Sequence, residues 1–113
     1  MAILDRGHEP GGPHVELEQE GERVMVRAWG ALDLSSAREL EAKLQEAIRG
    51  TSFGVTVDLG GVTFIDSTGL RVLISAAMVA QSSGREFIVL RASEQVRSMI
   101  ETSGVVDLLP LAD

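Results

Sequence analysis

The chain of 113 residues contains no cysteine, three prolines and a single lysine, Lys43. Without cysteine it can form neither a disulfide nor a thiolate metal site. Because the one lysine lies outside any GxxxxGK[ST] pattern, the chain also lacks the P-loop arrangement that holds nucleoside triphosphates. A net charge of −7 opposes binding to nucleic acid, whose phosphates attract basic surfaces, and opposes binding to an anionic membrane.

Long hydrophobic runs are also missing. The longest, from Leu70 to Ala80, is interrupted by Arg71 and Ser75 and falls short of the ~20 apolar residues of a membrane span. The first residues contain no apolar segment long enough for a signal peptide, so we expect a cytoplasmic location. Apolar residues make up 44% of the chain and charged residues 24%, which is ordinary for one globular domain.

The N-terminus differs in composition from the rest of the chain. Residues 1–13 hold two of the three prolines and three of the twelve glycines, which predicts a flexible tail before a domain spanning residues 14–113. His8 and His14 lie in or beside this tail. We interpret both as solvated side chains, and we expect no metal and no cofactor.

Hydrophobic periodicity predicts an α/β fold. Ser36 and Glu39 have capping-box spacing before a helix from Ala37 to Arg49, and Gly60-Gly61 is expected to end a strand that begins at Val55. The predicted elements are a hairpin from Val15 to Trp29, the helix Ala37–Arg49, a strand from Val55, a helix from Ser67 to about Ser82, a strand Phe87–Leu90, a helix capped by Ser93, and a short extended tail. This order predicts one domain with a central mixed sheet, in which an antiparallel hairpin precedes parallel strands, and three or four helices.

The segment Asp66-Ser67-Thr68-Gly69, between strand and helix, allows four interpretations. It is a favoured helix cap, since Asp, Ser and Thr accept from free N–H groups. A nucleotide site after Gly60-Gly61 lacks its lysine. A phospho-aspartate site at Asp58 lacks neighbouring acidic residues for magnesium, so we interpret Asp58 as a strand-end residue. A hydrolase nucleophile at Ser67 lacks a GxSxG motif and a well-placed histidine.

A family resemblance favours a further interpretation. The segment VDLGGVTFIDSTGLRVL resembles the signature of STAS domains, specifically bacterial anti-sigma factor antagonists. Gly30-Ala31-Leu32-Asp33 is similar to the family's second motif, and the segment from Thr102 to Pro110 is similar to its C-terminal end. The resemblance covers about Val15 to Leu111.

The resemblance implies a non-enzymatic regulator of transcription, typical of stress responses, that works by partner switching. Its partner is an anti-sigma factor that is also a serine kinase, and a PP2C-type phosphatase reverses the modification. By position, Ser67 is the implied phosphoacceptor. The implied partner-binding residues are Asp33, Asp66, Thr68, Gly69 and Leu70.

Phosphorylation would add about −1.5 to −2 charge at Ser67, beside Asp66. We therefore hypothesise that the unmodified protein binds the kinase and that the phosphorylated protein is released, which leaves the sigma factor free. The alternative is a STAS scaffold or sensor subunit of a signalling complex without this phosphorylation. A weak homodimer is left open.

Overall fold

The computed structural model describes residues 14–112. The strands are β1 (His14–Glu20), β2 (Arg23–Leu32), β3 (Gly54–Ile65), β4 (Glu86–Leu90) and β5 (Leu111–Ala112), and the helices are α1 (Ala37–Arg49), α2 (Ser67–Ser82) and α3 (Glu94–Thr102). They form one sheet in the order β1-β2-β3-β4-β5. β1 and β2 are antiparallel, whereas all other pairs are parallel. The predicted α/β domain with a mixed sheet is confirmed, with three helices among the described residues.

The strand order explains where the core lies. From β2 to β5 each new strand is added on the same side of the previous one, so right-handed crossovers place all three helices on one face of the sheet. Alternate residues of β2 and β3 point towards the helices and are buried together with the apolar stripe of α1. The opposite face of the sheet carries the charged side chains of β1 and β2, including Glu18 and Arg27.

The prediction that Gly60-Gly61 ends a strand is wrong, because β3 continues through both glycines to Ile65. Its pairing with β2 shifts register after Arg27 and again after Gly30. A Cβ on Gly61 would lie 2.5 Å from Cδ1 of Trp29, so glycine is required here because the indole ring of the neighbouring strand lies against the backbone. The glycines accommodate a side chain from β2 and do not form a turn.

Two other local predictions are corrected. Ser36 does not cap α1 with its side chain; its hydroxyl donates to the carbonyl of Ala31 at 2.8 Å instead. His14 is the first residue of β1, and its ring lies 5.4 Å from that of Trp29, so it is not simply solvated. The predicted short extended tail is confirmed, and it forms strand β5, which pairs with the end of β4. The predicted tail, with His8, lies outside the described residues.

Candidate functional site

The candidate site lies where β3 ends and α2 begins. Asp66 joins the two elements in an extended conformation, with φ −109° and ψ −173°. Its Oδ1 accepts a hydrogen bond from the amide of Gly69 at 3.0 Å, which satisfies one of the free N–H groups of the first turn. Its own amide donates to the carbonyl of Leu32 at 3.1 Å. Asp66 therefore caps α2 and also ties this corner to the end of β2.

Ser67 is the first residue of α2, and it is exposed. Among residues 14–112 its hydroxyl has no hydrogen-bonding partner. Thr68, the next residue, is half-buried. Because the helix start is fixed by Asp66, the Ser67 hydroxyl is presented to solvent from a defined position and is open to reaction with another molecule.

Gly69 is buried for a reason that the sequence did not reveal. The family resemblance implies only that Gly69 binds a partner. In the structure, a Cβ at this position would lie 2.3 Å from the carbonyl oxygen of Leu32 and 3.0 Å from its Cβ. Gly69 thus allows α2 to start directly against the end of β2, and the space it leaves is filled by the chain itself.

Leu70 belongs to the hydrophobic core and is only 6% exposed. Of the residues expected to contact a partner, it offers little surface. Its apolar side chain anchors the first turn of α2 to the sheet, and this burial holds Ser67 in place. Any contribution of Leu70 to recognition is therefore indirect.

Asp33 follows the last residue of β2 and lies at the same end of the sheet as Asp66, because Leu32 and Ile65 are paired in register. Its Oδ1 accepts from the amide of Ser35 at 3.0 Å and from the Ser35 hydroxyl at 2.6 Å. The Ser35 hydroxyl is the main cause that lowers the pKa of Asp33 below its usual value. Asp33 is therefore a carboxylate at neutral pH, and the corner holds two acidic side chains.

A second acidic site lies within β3. Asp58 is buried, and its oxygens accept from the Nε and Nη2 of Arg91 at 3.2 and 2.5 Å and from the amide of Gly60 at 2.8 Å. The hydrogen bond with Arg91 is the first cause that lowers the pKa of Asp58. The interpretation of Asp58 as a strand-end residue is wrong, because β3 continues well past it. Since both oxygens are occupied, a phospho-aspartate role is not supported.

Two features are absent from the described residues. Nowhere in the described part of the chain do three or more metal-ligating side chains gather. Within residues 14–112, no helix combines the length and the apolar character needed to cross a bilayer.

Comparison with known proteins identifies the family to which this chain belongs. Residues 15–110 match the family model described as "Mlab, STAS domain". A curated relative, named as the putative anti-sigma factor antagonist BtrV of Bordetella bronchiseptica, is 30% identical over 84 residues, which is 74% of this chain and 72% of the relative. The chain belongs to the STAS-domain, anti-sigma factor antagonist family.

Solved structures show the same fold. An anti-sigma factor antagonist from Mycobacterium paratuberculosis superposes with a TM-score of 0.80 at 22% identity, covering 91% of this chain and 87% of the other. The Bacillus cell fate determinant SpoIIAA in its phosphorylated form gives a TM-score of 0.69 at 24% identity, covering 88% and 92%. Anti-sigma factor antagonists are regulators and not enzymes, and this STAS protein is placed among them.

Proposed function

We propose that this STAS protein binds an anti-sigma factor serine kinase while Ser67 is unmodified, and that phosphorylation of Ser67 ends the binding. The captured kinase leaves its sigma factor free, and a PP2C-type phosphatase restores the unmodified form. The observation that supports this proposal is the exposed Ser67 hydroxyl on the capped first turn of α2. Because the reaction uses ATP and acts on transcription, we expect it to take place in the cytoplasm.

The chemistry requires only a well-placed hydroxyl from this chain. The bond from Ser67 Oγ to the γ-phosphorus of ATP forms while the bond from that phosphorus to the leaving ADP oxygen breaks. The hydroxyl proton passes to a base of the kinase. Phosphoryl transfer depends mainly on position and electrostatics, and Ser67 is held on a fixed helix start.

The modified protein is expected to stay folded. The N-terminus of α2 carries partial positive charge, which favours a phosphate at its first residue. Arg71 is exposed and lies four residues further along the same helix, a spacing at which opposite charges interact. Asp66 opposes the phosphate by repulsion. These effects act in opposite directions at an exposed site. We therefore expect the modification to change binding to the kinase and to have little effect on folding.

The phosphate should affect binding to the kinase more strongly than it affects folding. In a complex packed around a neutral hydroxyl, the phosphate would have to lose water beside the carboxylates of Asp66 and Asp33. Each 1.4 kcal/mol of this penalty weakens binding about tenfold. A penalty of a few kcal/mol is therefore enough to separate the two proteins.

The direct test compares Ser67→Ala and Ser67→Asp with the wild type. The purified anti-sigma factor kinase of the same organism is titrated with each variant, and incubation with Mg²⁺ and ATP is followed by intact mass. We expect Ser67→Ala to bind and to gain no phosphate, Ser67→Asp to bind at least about tenfold more weakly, and the wild type to gain one phosphate at Ser67.

Ser75→Ala is the matched control, because it removes an exposed hydroxyl of the same helix away from the implied partner-binding residues and should leave the modification unchanged. Equal binding of the kinase by Ser67→Ala and Ser67→Asp would contradict the proposal. That result would favour a STAS scaffold or sensor subunit without partner switching.

A further inference from the structure

A cleft lies on the face of the sheet that the helices do not cover. Its volume is about 380 Å³, which is within the range of sites for small molecules. The lining includes two arginines, one tryptophan, one aspartate and two glycines, namely Arg27, Arg91, Trp29, Asp58, Gly60 and Gly61. The proposed function makes no use of this cleft.

A bulge in β3 forms the floor of the cleft. Asp58 and Gly61 are three positions apart in β3, whereas the β2 residues paired with them, Arg27 and Trp29, are two positions apart. The extra residue in β3 is a β-bulge, a feature that redirects residues and is common beside functional sites. Because Gly60 and Gly61 are exposed and have no side chains, the backbone of the bulge is open to another molecule.

Trp29 and Arg91 lie on either side of this floor. A Cβ on Gly61 would lie 2.5 Å from Cδ1 of Trp29, and a Cβ on Gly60 would lie 3.5 Å from Nε of Arg91. Since consecutive Cα atoms are about 3.8 Å apart, the indole ring and the guanidinium flank the same short piece of backbone. The cleft therefore combines a planar apolar surface with a positive charge.

Arg91 is fixed beside the cleft by an unusual backbone conformation. Its φ is 57°, and among residues 14–112 no other residue except glycine has a positive φ. Its Nε and Nη2 donate to the carboxylate of Asp58 at 3.2 and 2.5 Å, and these charged hydrogen bonds offset the strain. Strained residues of this kind are concentrated at functional sites.

One nitrogen of Arg91 is left to bind another molecule. Within the described residues its Nη1 donates no hydrogen bond, and the side chain is 55% exposed. The two arginines and one aspartate of the lining give the cleft a net charge of +1. Glu18, which pairs with Arg27, is not part of the lining. A ligand with one negative charge is therefore matched, whereas a polyanion would be repelled by Asp58 and by the acidic chain as a whole.

We propose that the cleft binds a small planar aromatic acid with one carboxylate, whose ring lies against the indole of Trp29 and whose carboxylate accepts from Nη1 of Arg91. Aromatic rings stack favourably on indole. Guanidinium groups form strong, charge-assisted hydrogen bonds with carboxylates. This inference goes beyond the proposed function and does not depend on it, because neither Ser67 nor a kinase takes part.

The single tryptophan of the chain makes the site directly observable, since Trp29 gives the only indole N–H signal of the protein. The ¹⁵N-labelled wild type is titrated with 2-naphthoate and followed by two-dimensional NMR. We expect a saturable shift of the indole signal with a Kd below about 1 mM. 2-Naphthalenemethanol, which keeps the ring and lacks the charge, should bind at least about tenfold more weakly, and so should cyclohexanecarboxylate, which keeps the charge and lacks the planar ring.

Variants test the assigned residues. We expect Arg91→Gln to weaken the binding of 2-naphthoate about tenfold, because it removes the charge, and Arg91→Lys to weaken it less. Arg49→Gln is the matched control, since Arg49 is exposed in the last turn of α1 on the other side of the sheet. Ser67→Ala should also bind 2-naphthoate like the wild type. Thermal unfolding shows whether Arg91→Gln is folded, and the comparison of probes on the wild type tests the proposal without any variant.

Several results would overturn the inference. They are the absence of a saturable shift with 2-naphthoate, equal binding of the acid and the alcohol, equal binding of the aromatic and the non-aromatic acid, and an equal loss of binding in Arg49→Gln and folded Arg91→Gln. In each case the proposed function would stand, because phosphorylation of Ser67 is measured separately by intact mass.

Discussion

Asp58 and Asp66 belong to the same stretch of chain but are used in different ways. Asp58 is buried within β3, and its charge is matched by the guanidinium of Arg91. Asp66 lies just beyond β3 and is half-buried, and among residues 14–112 its side chain accepts a single hydrogen bond, from the amide of Gly69. One carboxylate is enclosed by an ion pair, whereas the other remains at the surface beside a reactive hydroxyl.

This difference shows that the surroundings decide the role of an acidic residue. At Asp58 both oxygens accept hydrogen bonds from within the chain, so the group stabilises the sheet. At Asp66 the helix start needs a single acceptor, and the adjacent Ser67 hydroxyl stays accessible. The signalling chemistry is therefore expected at the end of the sheet and not on its uncovered face.

Gly69→Ala is the strongest way to break the corner at Asp66. The added Cβ would lie 2.3 Å from the Leu32 carbonyl oxygen, so α2 would have to move away from β2. We expect a loss of about 3 kcal/mol in the free energy of unfolding, as for overpacking of a tight contact. Urea denaturation measures it, and Ser75→Ala on the exposed side of α2 is the control. Unchanged stability would mean that the close approach is not required.

Asp58→Asn tests the enclosed carboxylate. The amide keeps the shape but loses the charged hydrogen bonds with Arg91, so we expect a loss of about 1–2 kcal/mol at neutral pH. The pKa of Asp58 is lowered in the folded protein, so its stabilising effect is present above the unfolded pKa of about 4 and disappears as pH falls through the folded pKa.

The free energies of unfolding of the wild type and of Asp58→Asn should therefore converge at acidic pH. Urea denaturation at a series of pH values measures this convergence. Asp107→Asn serves as control, because Asp107 is exposed. A difference from the wild type that stays constant down to the lowest pH at which the protein folds would show that the ion pair is not its source.

Asp66→Ala tests the carboxylate at the surface, and its expected effect on stability is smaller than that of Asp58→Asn. Loss of a helix N-cap costs about 1 kcal/mol, whereas asparagine caps about as well as aspartate. We expect Asp66→Ala to lower the free energy of unfolding by about that amount and Asp66→Asn to stay close to the wild type. If both variants lose the same stability, the charge of Asp66 and not its capping bond is what matters.

Ser67→Ala should have the smallest effect on folding. The hydroxyl is exposed and has no partner among residues 14–112, so the free energy of unfolding should change by less than about 0.5 kcal/mol. A large loss in urea denaturation would show that Ser67 is a structural residue. Because Ser67→Ala is expected to keep the stability of the wild type, any change in its binding to the kinase can be attributed to the lost hydroxyl.

Predictions from local patterns were accurate where the interactions are local. The bounds of α1, the end of α2 and the cap of α3 by Ser93 are all confirmed. Periodicity and capping involve residues only a few positions apart, so the sequence displays them directly. The same holds for the Asp66–Gly69 segment as a helix start.

Predictions failed where a distant residue competed with the local pattern. Gly60-Gly61 suggested the end of a strand, but Trp29 from the neighbouring strand lies against Gly61 and the strand continues. Ser36 suggested a capping box, but a carbonyl at the end of β2 takes its hydroxyl. Neither competitor can be seen in the sequence, because each depends on which strand lies beside the residue.

The sequence by itself determined the α/β order of elements, the capped helix start that presents Ser67, and the resemblance to the STAS family. Only the tertiary structure decided that Asp58 pairs with Arg91, that Gly69 lies against Leu32, and that Trp29 lies against Gly61. The physical reason is the separation along the chain of the residues that interact. Helix periodicity and caps act within one or two turns, whereas these three contacts require the strands to be in register across the whole packed sheet.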